Sequence, residues 1–250
     1  MDEKLIILMG IVLLSFTSQA LSGFGSIIIA VTLGSHLYSI KELLPVLVPL
    51  DVLINGYLVA RYRSTVDTGF LVRKIFPPVG VGFAAGVIMF SLLDSSILKG
   101  VFGVFVVAIS VRELVVAVRT ADPRIISPAG RAAYLVLGGH IQGVFASGGP
   151  PVVYAVGRSL HDKTVFRSTL AALWFTVNSV LLATYAMTHR LTPETLTDSA
   201  ILLPTVVLGI VIGELLHRYI NEKHFRIVIF CVLIVAGLSI LVQVAGGISR

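Results

Sequence analysis

Two short stretches rich in glycine interrupt long apolar runs in this 250-residue chain. Ser22-Gly23-Phe24-Gly25 lies within residues 5–40 and Ser147-Gly148-Gly149-Pro150-Pro151 within residues 132–157, two ranges that contain no Asp, Glu, Lys or Arg. Glycine and proline are unfavourable inside helices, so each run is predicted to break into two helices. The N–H groups at the start of a helix bind anions, and glycine lets a ligand approach the backbone closely.

Four amide side chains accompany these breaks. Gln19 and Gln142 each precede a break glycine by six residues, and Asn55 and Asn178 lie in the apolar segments that follow. An amide in an apolar environment needs a hydrogen-bond partner. The four amides therefore either bind substrate oxygens or hold each broken helix against its neighbour, and the sequence leaves both readings open.

Asp51 is the one charged residue in the apolar segment 43–60. A carboxylate at that depth is costly and is associated with function, so we interpret Asp51 as a proton-coupling group. The alternatives are a pair with His36 or Gln19, or a position nearer the membrane interface.

The residues predicted to contact the substrate share a position at a break or an amide side chain. They are Gln19, Ser22, Gly23, Gly25, Asn55, Gln142, Ser147, Gly148, Gly149, Pro150 and Asn178. The single cysteine excludes an intramolecular disulfide and a cysteine-based zinc site. No metal site and no cofactor are expected.

The elements that must position these residues recur along the chain. A shift of 123 residues aligns residues 19–62 with residues 142–185 and gives 10 identities in 44 positions, among them the paired glutamines, asparagines and break glycines. We therefore predict a first transmembrane repeat at 1–118, a basic cytoplasmic linker at 119–131 and a second repeat at 132–250.

The composition places these repeats in a lipid bilayer. Hydrophobic residues make up 56% of the chain and charged residues 13%, against about 25% charged in soluble domains. Mean hydropathy is +0.97. The net charge of +6 comes without a basic stripe that interleaves aromatic residues, so no nucleic-acid partner is expected. The predicted fold is an all-α polytopic membrane protein.

Each repeat is predicted to contain a broken helix followed by three transmembrane helices. If the broken helices are re-entrant hairpins, there are six crossings, and 14 of the 19 basic residues lie on one side. If they cross, there are eight spans and the division is 11 to 8. Because basic residues concentrate in cytoplasmic loops, we predict two hairpins, both termini outside the cytoplasm, and repeats of inverted topology.

The second break and the segment after it resemble the sulfite exporter TauE/SafE family of membrane transporters. The resemblance rests on Gly143-Val144-Phe145-Ala146-Ser147-Gly148-Gly149-Pro150-Pro151-Val152-Val153-Tyr154, followed by Arg167, Trp174 and Asn178. It covers nearly the whole chain. It implies transport of small anions, such as sulfite, sulfonates or related carboxylates, across a prokaryotic plasma membrane.

The sequence thus predicts a secondary transporter that works by alternating access and holds a small anion between the broken helices of the two repeats. No GxxxxGK[ST] loop occurs, so a gradient of substrate, proton or another ion would supply the energy. The alternatives are a passive anion channel and an intramembrane enzyme. An enzyme is not expected, since HExxH, GxSxG and facing aspartates do not occur. A homodimer is left open.

Overall fold

The computed structural model of the chain describes residues 3–22, 25–118, 126–160, 162–216 and 222–246. Within these ranges the backbone forms helices and no β-strand. A five-residue π-helical segment, Leu71–Ile75, lies inside α4. The helices are α1 (Glu3–Ser22), α2 (Ser26–Gly34), α3 (Ile40–Tyr62), α4 (Thr68–Leu92), α5 (Ser95–Val118), α6 (Pro128–Phe145), α7 (Gly149–Gly157), α8 (Lys163–Met187), α9 (Pro193–Leu216) and α10 (Glu222–Ala245).

Six of these helices are long and apolar enough to cross a membrane: α1, α3, α4, α8, α9 and α10. Five of them are crossings that the sequence predicts, and α1 is the first arm of a broken stretch. The remaining predicted crossing, α5, is 24 residues long and carries Lys99, Arg112 and Glu113 among its apolar residues. The prediction of an all-α polytopic membrane protein is confirmed.

The helix boundaries follow the repeat. α2 spans Ser26–Gly34 and α7 spans Gly149–Gly157, so both ends are offset by 123 residues. The helix after each short arm begins with the same offset, at Ile40 and at Lys163. α6 begins at Pro128, inside the segment that the sequence assigns to the linker. Residues 119–125 of that linker lie outside the described residues.

Both broken stretches fold back on themselves as helical hairpins. In hairpin 1 (α1–α2), a Cβ atom built on Gly34 would lie 3.5 Å from Leu8 Cδ1, so the end of α2 returns to the first half of α1. Each second arm has nine residues, which is about 14 Å of helix and far short of the ~30 Å hydrocarbon core.

Hairpin 2 (α6–α7) closes in the same way. The Tyr134 and Tyr154 ring centroids are 4.7 Å apart, and Arg131 Nη1 donates a hydrogen bond to Ser159 Oγ at 3.2 Å. The end of the second arm therefore lies beside the start of the first. A chain that returns to its point of entry fits a re-entrant hairpin and does not fit a kinked span.

The chain divides into two compact units. The first comprises residues 1–44, 93–123 and 194–250, and the second comprises residues 45–92 and 124–193. Hairpin 1 therefore shares a unit with α5, α9 and α10. Hairpin 2 shares a unit with most of α3, with α4 and with α8. Each unit combines a hairpin from one repeat with a helix, α9 or α4, from the other.

Glycines bring α4 against the first arm of hairpin 2. A Cβ atom on Gly82 would clash with the Val136 carbonyl oxygen and lie 2.8 Å from His140 N. Gly86 meets the His140 carbonyl in the same way. The obstructing atoms belong to backbone and cannot rotate aside. Two small residues four positions apart are typical of closely packed membrane helices, and the Gly82-xxx-Gly86 pair has that role here.

The equivalent pair brings α9 against the first arm of hairpin 1. A Cβ atom on Gly209 would lie 2.9 Å from the Leu13 carbonyl oxygen, and one on Gly213 would lie 2.7 Å from the Thr17 carbonyl oxygen. The glycine pairs of the two repeats thus have the same role, each against the hairpin of the other repeat.

Replacing Gly82 with leucine is expected to destabilise the second unit by upwards of ~3 kcal/mol, because the added side chain meets fixed backbone. The matched control is Gly80→Leu on the same helix, where an added Cβ has no atom within 4 Å and leucine favours the helix by roughly 1 kcal/mol. Thermal unfolding of the two variants in detergent compares them. Equal melting temperatures would mean that the α4–α6 contact is not needed.

Candidate functional site

The buried carboxylate and three of the four amides meet in the second unit. Asp51 and Asn55 lie on α3, Gln142 on the first arm of hairpin 2 and Asn178 on α8. Their side chains are almost completely buried, from 5% exposed at Asp51 to 1% at Asn178. Three elements that are distant in sequence therefore converge on one polar cluster inside an apolar unit.

The cluster is a directed chain of hydrogen bonds that we call the amide relay: Gly148, Gln142, Asn178 and Asp51. Gly148 N donates to Gln142 Oε1 at 2.8 Å, Gln142 Nε2 donates to Asn178 Oδ1 at 2.6 Å, and Asn178 Nδ2 donates to Asp51 Oδ2 at 2.6 Å. Every donor in the relay points toward the carboxylate. The relay connects the backbone of the second helix break to the buried acid.

Asn55 is a side branch of the same network. Its Nδ2 donates to Asp51 Oδ2 at 2.7 Å and to the Asp51 carbonyl oxygen at 2.8 Å. Hydrogen bonds to a charged group contribute about 1.5–3 kcal/mol each, so two amides on one oxygen favour a carboxylate at this depth. At the second break, therefore, the amides hold the hairpin against α3 and α8, which is one of the two readings that the sequence left open.

The alternative partners that the sequence offered Asp51 belong to the first unit. The His36 ring nitrogens lie 3.3 Å from the Leu33 carbonyl oxygen and 3.3 Å from Ser239 Oγ. Trp174, which occupies the position of Asp51 in the second repeat, is a buried side chain on α8. The carboxylate is therefore present in one repeat only.

The second break is shaped by the residues between α6 and α7. Ala146 adopts a left-handed conformation with φ 51°, and its N–H donates to the Gln142 carbonyl oxygen at 2.8 Å. Ser147 Oγ donates to the Phe145 carbonyl oxygen at 2.9 Å. These bonds end α6 and turn the chain, so the Ser147 hydroxyl serves the turn.

Gly148 follows as the N-cap of α7, with an ordinary φ of −70°. A Cβ atom there would clash with the Gly138 carbonyl oxygen and lie 2.8 Å from Gln142 Cβ. The glycine is thus required by close packing. Gly138 is a residue that the sequence analysis missed, although the Gly138-Gly139 pair inside an apolar segment is a signal that could have identified it.

The first break requires glycine for a different reason. Gly25 has φ 98°, a conformation that favours glycine, while a Cβ there would lie an unobstructed 3.8 Å from Ile28 Cγ2. Ser22 is the last residue of α1, and the structure does not describe its side chain. Gly23 lies outside the described residues.

The two short arms also differ in what their first turns can donate. α2 begins Ser26-Ile27-Ile28, in which every residue has a backbone N–H. α7 begins Gly149-Pro150-Pro151, and proline has no N–H. The second break therefore offers mainly the N–H groups of Gly148 and Gly149, and Gly148 already donates to Gln142.

Gln19 differs from its counterpart Gln142. It lies in the first unit, on α1, and is 9% exposed. Among the described residues its Oε1 has no hydrogen-bond partner, whereas Gln142 Oε1 accepts from Gly148 N. Of the four amides, Asn55, Gln142 and Asn178 therefore share one hydrogen-bonded cluster within the second unit.

Across the described ranges, no group of three or more His, Cys, Asp or Glu side chains is arranged to hold a metal ion. A protein-family model described as Sulfite exporter TauE/SafE matches residues 7–240, nearly the whole chain. No curated protein and no solved structure matches. The matched range includes both helix breaks and the complete amide relay.

Proposed function

Because the chain belongs to the sulfite exporter TauE/SafE family, we propose that it is a secondary transporter of small anions such as sulfite, sulfonates or related organic anions. The proposed location is a prokaryotic plasma membrane, with both termini outside the cytoplasm and the small anion as the substrate. Asp51 is the proposed proton-coupling group. The chain has no proposed catalytic function.

One observation carries this proposal: the Gly148 N–H at the second break is held by a side chain and not by helix backbone. A side-chain amide can rotate away and leave that donor to a substrate oxygen. The adjacent Gly149 N–H and the positive end of α7 favour a negative charge at the same point. The proposal therefore places the anion at the start of α7.

Alternating access, with the anion held between the broken helices of the two repeats, is the proposed mechanism. Its support is the internal repeat, whose helix boundaries recur at an offset of 123 residues, and the frequency of inverted repeats among secondary transporters. The same break at equivalent positions gives each repeat one short arm whose N-cap residue is a glycine, Gly25 or Gly148.

Sulfite flux into proteoliposomes tests the function. Uptake that saturates and shows counterflow is expected of a carrier. Flux that rises linearly with concentration and shows no counterflow would favour a passive channel. Chemical turnover of sulfite by the purified protein would favour an enzyme. Absence of both flux and binding for sulfite, sulfonates and short carboxylates would reject the proposal.

The orientation is tested by cysteine labelling in a Cys231→Ser background, since Cys231 is exposed. A cysteine at the exposed position Arg63 is expected to react only after the cells are permeabilised, because the 61–74 segment is assigned to the cytoplasm. A cysteine at exposed Asp94, between α4 and α5, is expected to react with a membrane-impermeant maleimide in intact cells. The reverse pattern would place the termini inside.

A further inference from the structure

We propose that Gln142 and Asn178 are positioning residues that couple the charge of Asp51 to anion binding at Gly148: when Asp51 takes up a proton, the relay releases the Gly148 N–H to the anion. This inference rests on the proposed function and deepens it by naming the route of coupling. The proton comes from water, converts the carboxylate to a carboxylic acid, and breaks no other covalent bond.

The direction of the hydrogen bonds is the first support. An amide side chain offers an acceptor at one end and a donor at the other, so a chain of two amides has a polarity. Here both amides direct their donors toward Asp51 and their acceptors toward Gly148. The negative charge of Asp51 selects that polarity, because it accepts hydrogen bonds at Oδ2 from Asn178 and also from Asn55.

Loss of the negative charge of Asp51 weakens the hydrogen bond between Asn178 and Asp51, at one end of the relay. A hydrogen bond to an ionised group is roughly twice as strong as one between neutral groups. Once Asp51 is neutral, Asn178 is held less firmly, and so is Gln142, which donates to it. Gln142 Oε1 can then leave Gly148 N with a smaller loss of free energy, and the N–H is free for an anion.

Electrostatic repulsion also predicts that protonation of Asp51 favours anion binding at Gly148. A carboxylate buried in the second unit repels a second negative charge at the break, and the repulsion is strong where water is scarce. Protonation of Asp51 removes it. By linkage the effect is reciprocal, so anion binding at Gly148 favours proton uptake at Asp51. Proton and anion are therefore bound together, and they move in the same direction across the membrane.

Several ionisable groups of α3, α4 and α8 can be located relative to Asp51 and its relay partner Asn178. On α3, Tyr57 is six residues away and 59% exposed. The Phe76–Leu92 part of α4 contains no ionisable residue. On α8, Arg167 and Tyr185 are eleven and seven residues from Asn178, about 16 Å and 10 Å along the helix.

Hairpin 2 also carries ionisable groups. His140 is two positions from Gln142, a spacing at which helix side chains do not face each other. Arg131 donates to Ser159, and the Tyr154 ring packs against that of Tyr134 at a tilt of 54°. Asp51 is the ionisable side chain on which the relay's hydrogen bonds end.

A matched pair of variants tests the coupling. Asn178→Leu and Asn55→Leu each remove one amide donor from the same carboxylate oxygen, but only Asn178 leads on to Gln142 and Gly148. The readout is the sulfite dissociation constant of the full-length purified protein between pH 8 and pH 6. Because sulfite itself takes up a proton in this range, the pH response of Asp51→Asn serves as the baseline.

The wild-type protein is expected to gain about tenfold in sulfite affinity on acidification beyond that baseline, within the usual range of coupling between sites. Asn55→Leu is expected to keep a gain of this size, displaced along the pH axis. Asn178→Leu is expected to show less than a twofold gain. A purely structural amide would weaken binding equally at every pH. A full gain in Asn178→Leu, or its loss in both variants, would overturn the proposal.

A second measurement needs no ligand. Hydrogen exchange of the Gly148 amide reports whether Gln142 holds it. At pH 8 the Gly148 amide is expected to exchange at least tenfold faster in Asn178→Leu than in Asn55→Leu. At pH 6 the exchange rate of this amide in the wild type is expected to approach its rate in Asn178→Leu. Equal exchange in the two variants would overturn the relay. A protein that shows this exchange pattern but binds no sulfite would retain the relay and remove sulfite from the proposed function.

Discussion

Replacing Gly148 with alanine is expected to reduce the initial rate of sulfite uptake by about a hundredfold or more, an effect of ~3 kcal/mol or more on the transport step. The added methyl group collides with the Gly138 carbonyl oxygen and approaches Gln142 Cβ to 2.8 Å. To escape, the start of α7 must move away from α6, which displaces the N–H that the proposal assigns to the anion. Sulfite uptake into proteoliposomes measures the loss.

The matched control is Gly138→Ala, on the other side of the same contact. Its Cβ would lie 3.1 Å from the Gly148 carbonyl oxygen and 2.5 Å from Val152 Cγ2, so it also strains the hairpin. It leaves the Gly148 N–H with Gln142. Gly148→Ala is expected to lose sulfite binding although its melting temperature is similar to that of Gly138→Ala. Wild-type uptake in Gly148→Ala would remove the second break from the substrate site.

Replacing Asp51 with asparagine is expected to abolish the dependence of sulfite uptake on an imposed pH gradient, while uptake down a sulfite gradient persists. Asparagine has nearly the shape of aspartate, and its carbonyl oxygen can still accept the bonds from Asn55 and Asn178. Unlike aspartate, the asparagine side chain cannot take up a proton between pH 8 and pH 6. Uptake with and without a pH gradient, in vesicles otherwise identical, is the measurement.

Asp51→Leu separates the structural from the coupling effect of the carboxylate. Leucine removes the acceptor of Asn178 Nδ2, while Asn55 Nδ2 keeps the backbone carbonyl oxygen of residue 51 and loses only its second acceptor. A buried donor left without an acceptor costs about 1–3 kcal/mol, so this variant is expected to be less stable than Asp51→Asn by at least that amount. Uptake by Asp51→Asn that still follows the pH gradient would show that the coupling proton binds elsewhere.

The hairpins were predictable because their causes are local. Each break combines two glycines with a serine, and the second adds two prolines, a cluster of residues that disfavour helix, and the distribution of the basic residues distinguished a return from a crossing. The repeat was predictable because rare residue types recur at one offset, such as Gln19 with Gln142 and Asn55 with Asn178. Asp51 stood out because a carboxylate is rare in an apolar segment.

The relay itself could not be predicted from the sequence. Which end of Gln142 faces Gly148 depends on where α3 and α8 bring Asp51 and Asn178, and these contacts join residues far apart in the chain. Equivalent positions also require glycine for different reasons, since Gly25 adopts a left-handed conformation and Gly148 makes a close backbone contact. A pairing of sequence positions shows that two residues correspond, but it does not show what each one touches.

The placement of α4 and α9 bears on how such a chain could have arisen. Each of these helices presses its glycines against the hairpin of the opposite repeat, and both contacts lie within a compact unit. A half-length ancestor would have left the glycine-lined face of its own α4 uncovered, and a second copy of the same chain would supply the hairpin that covers it.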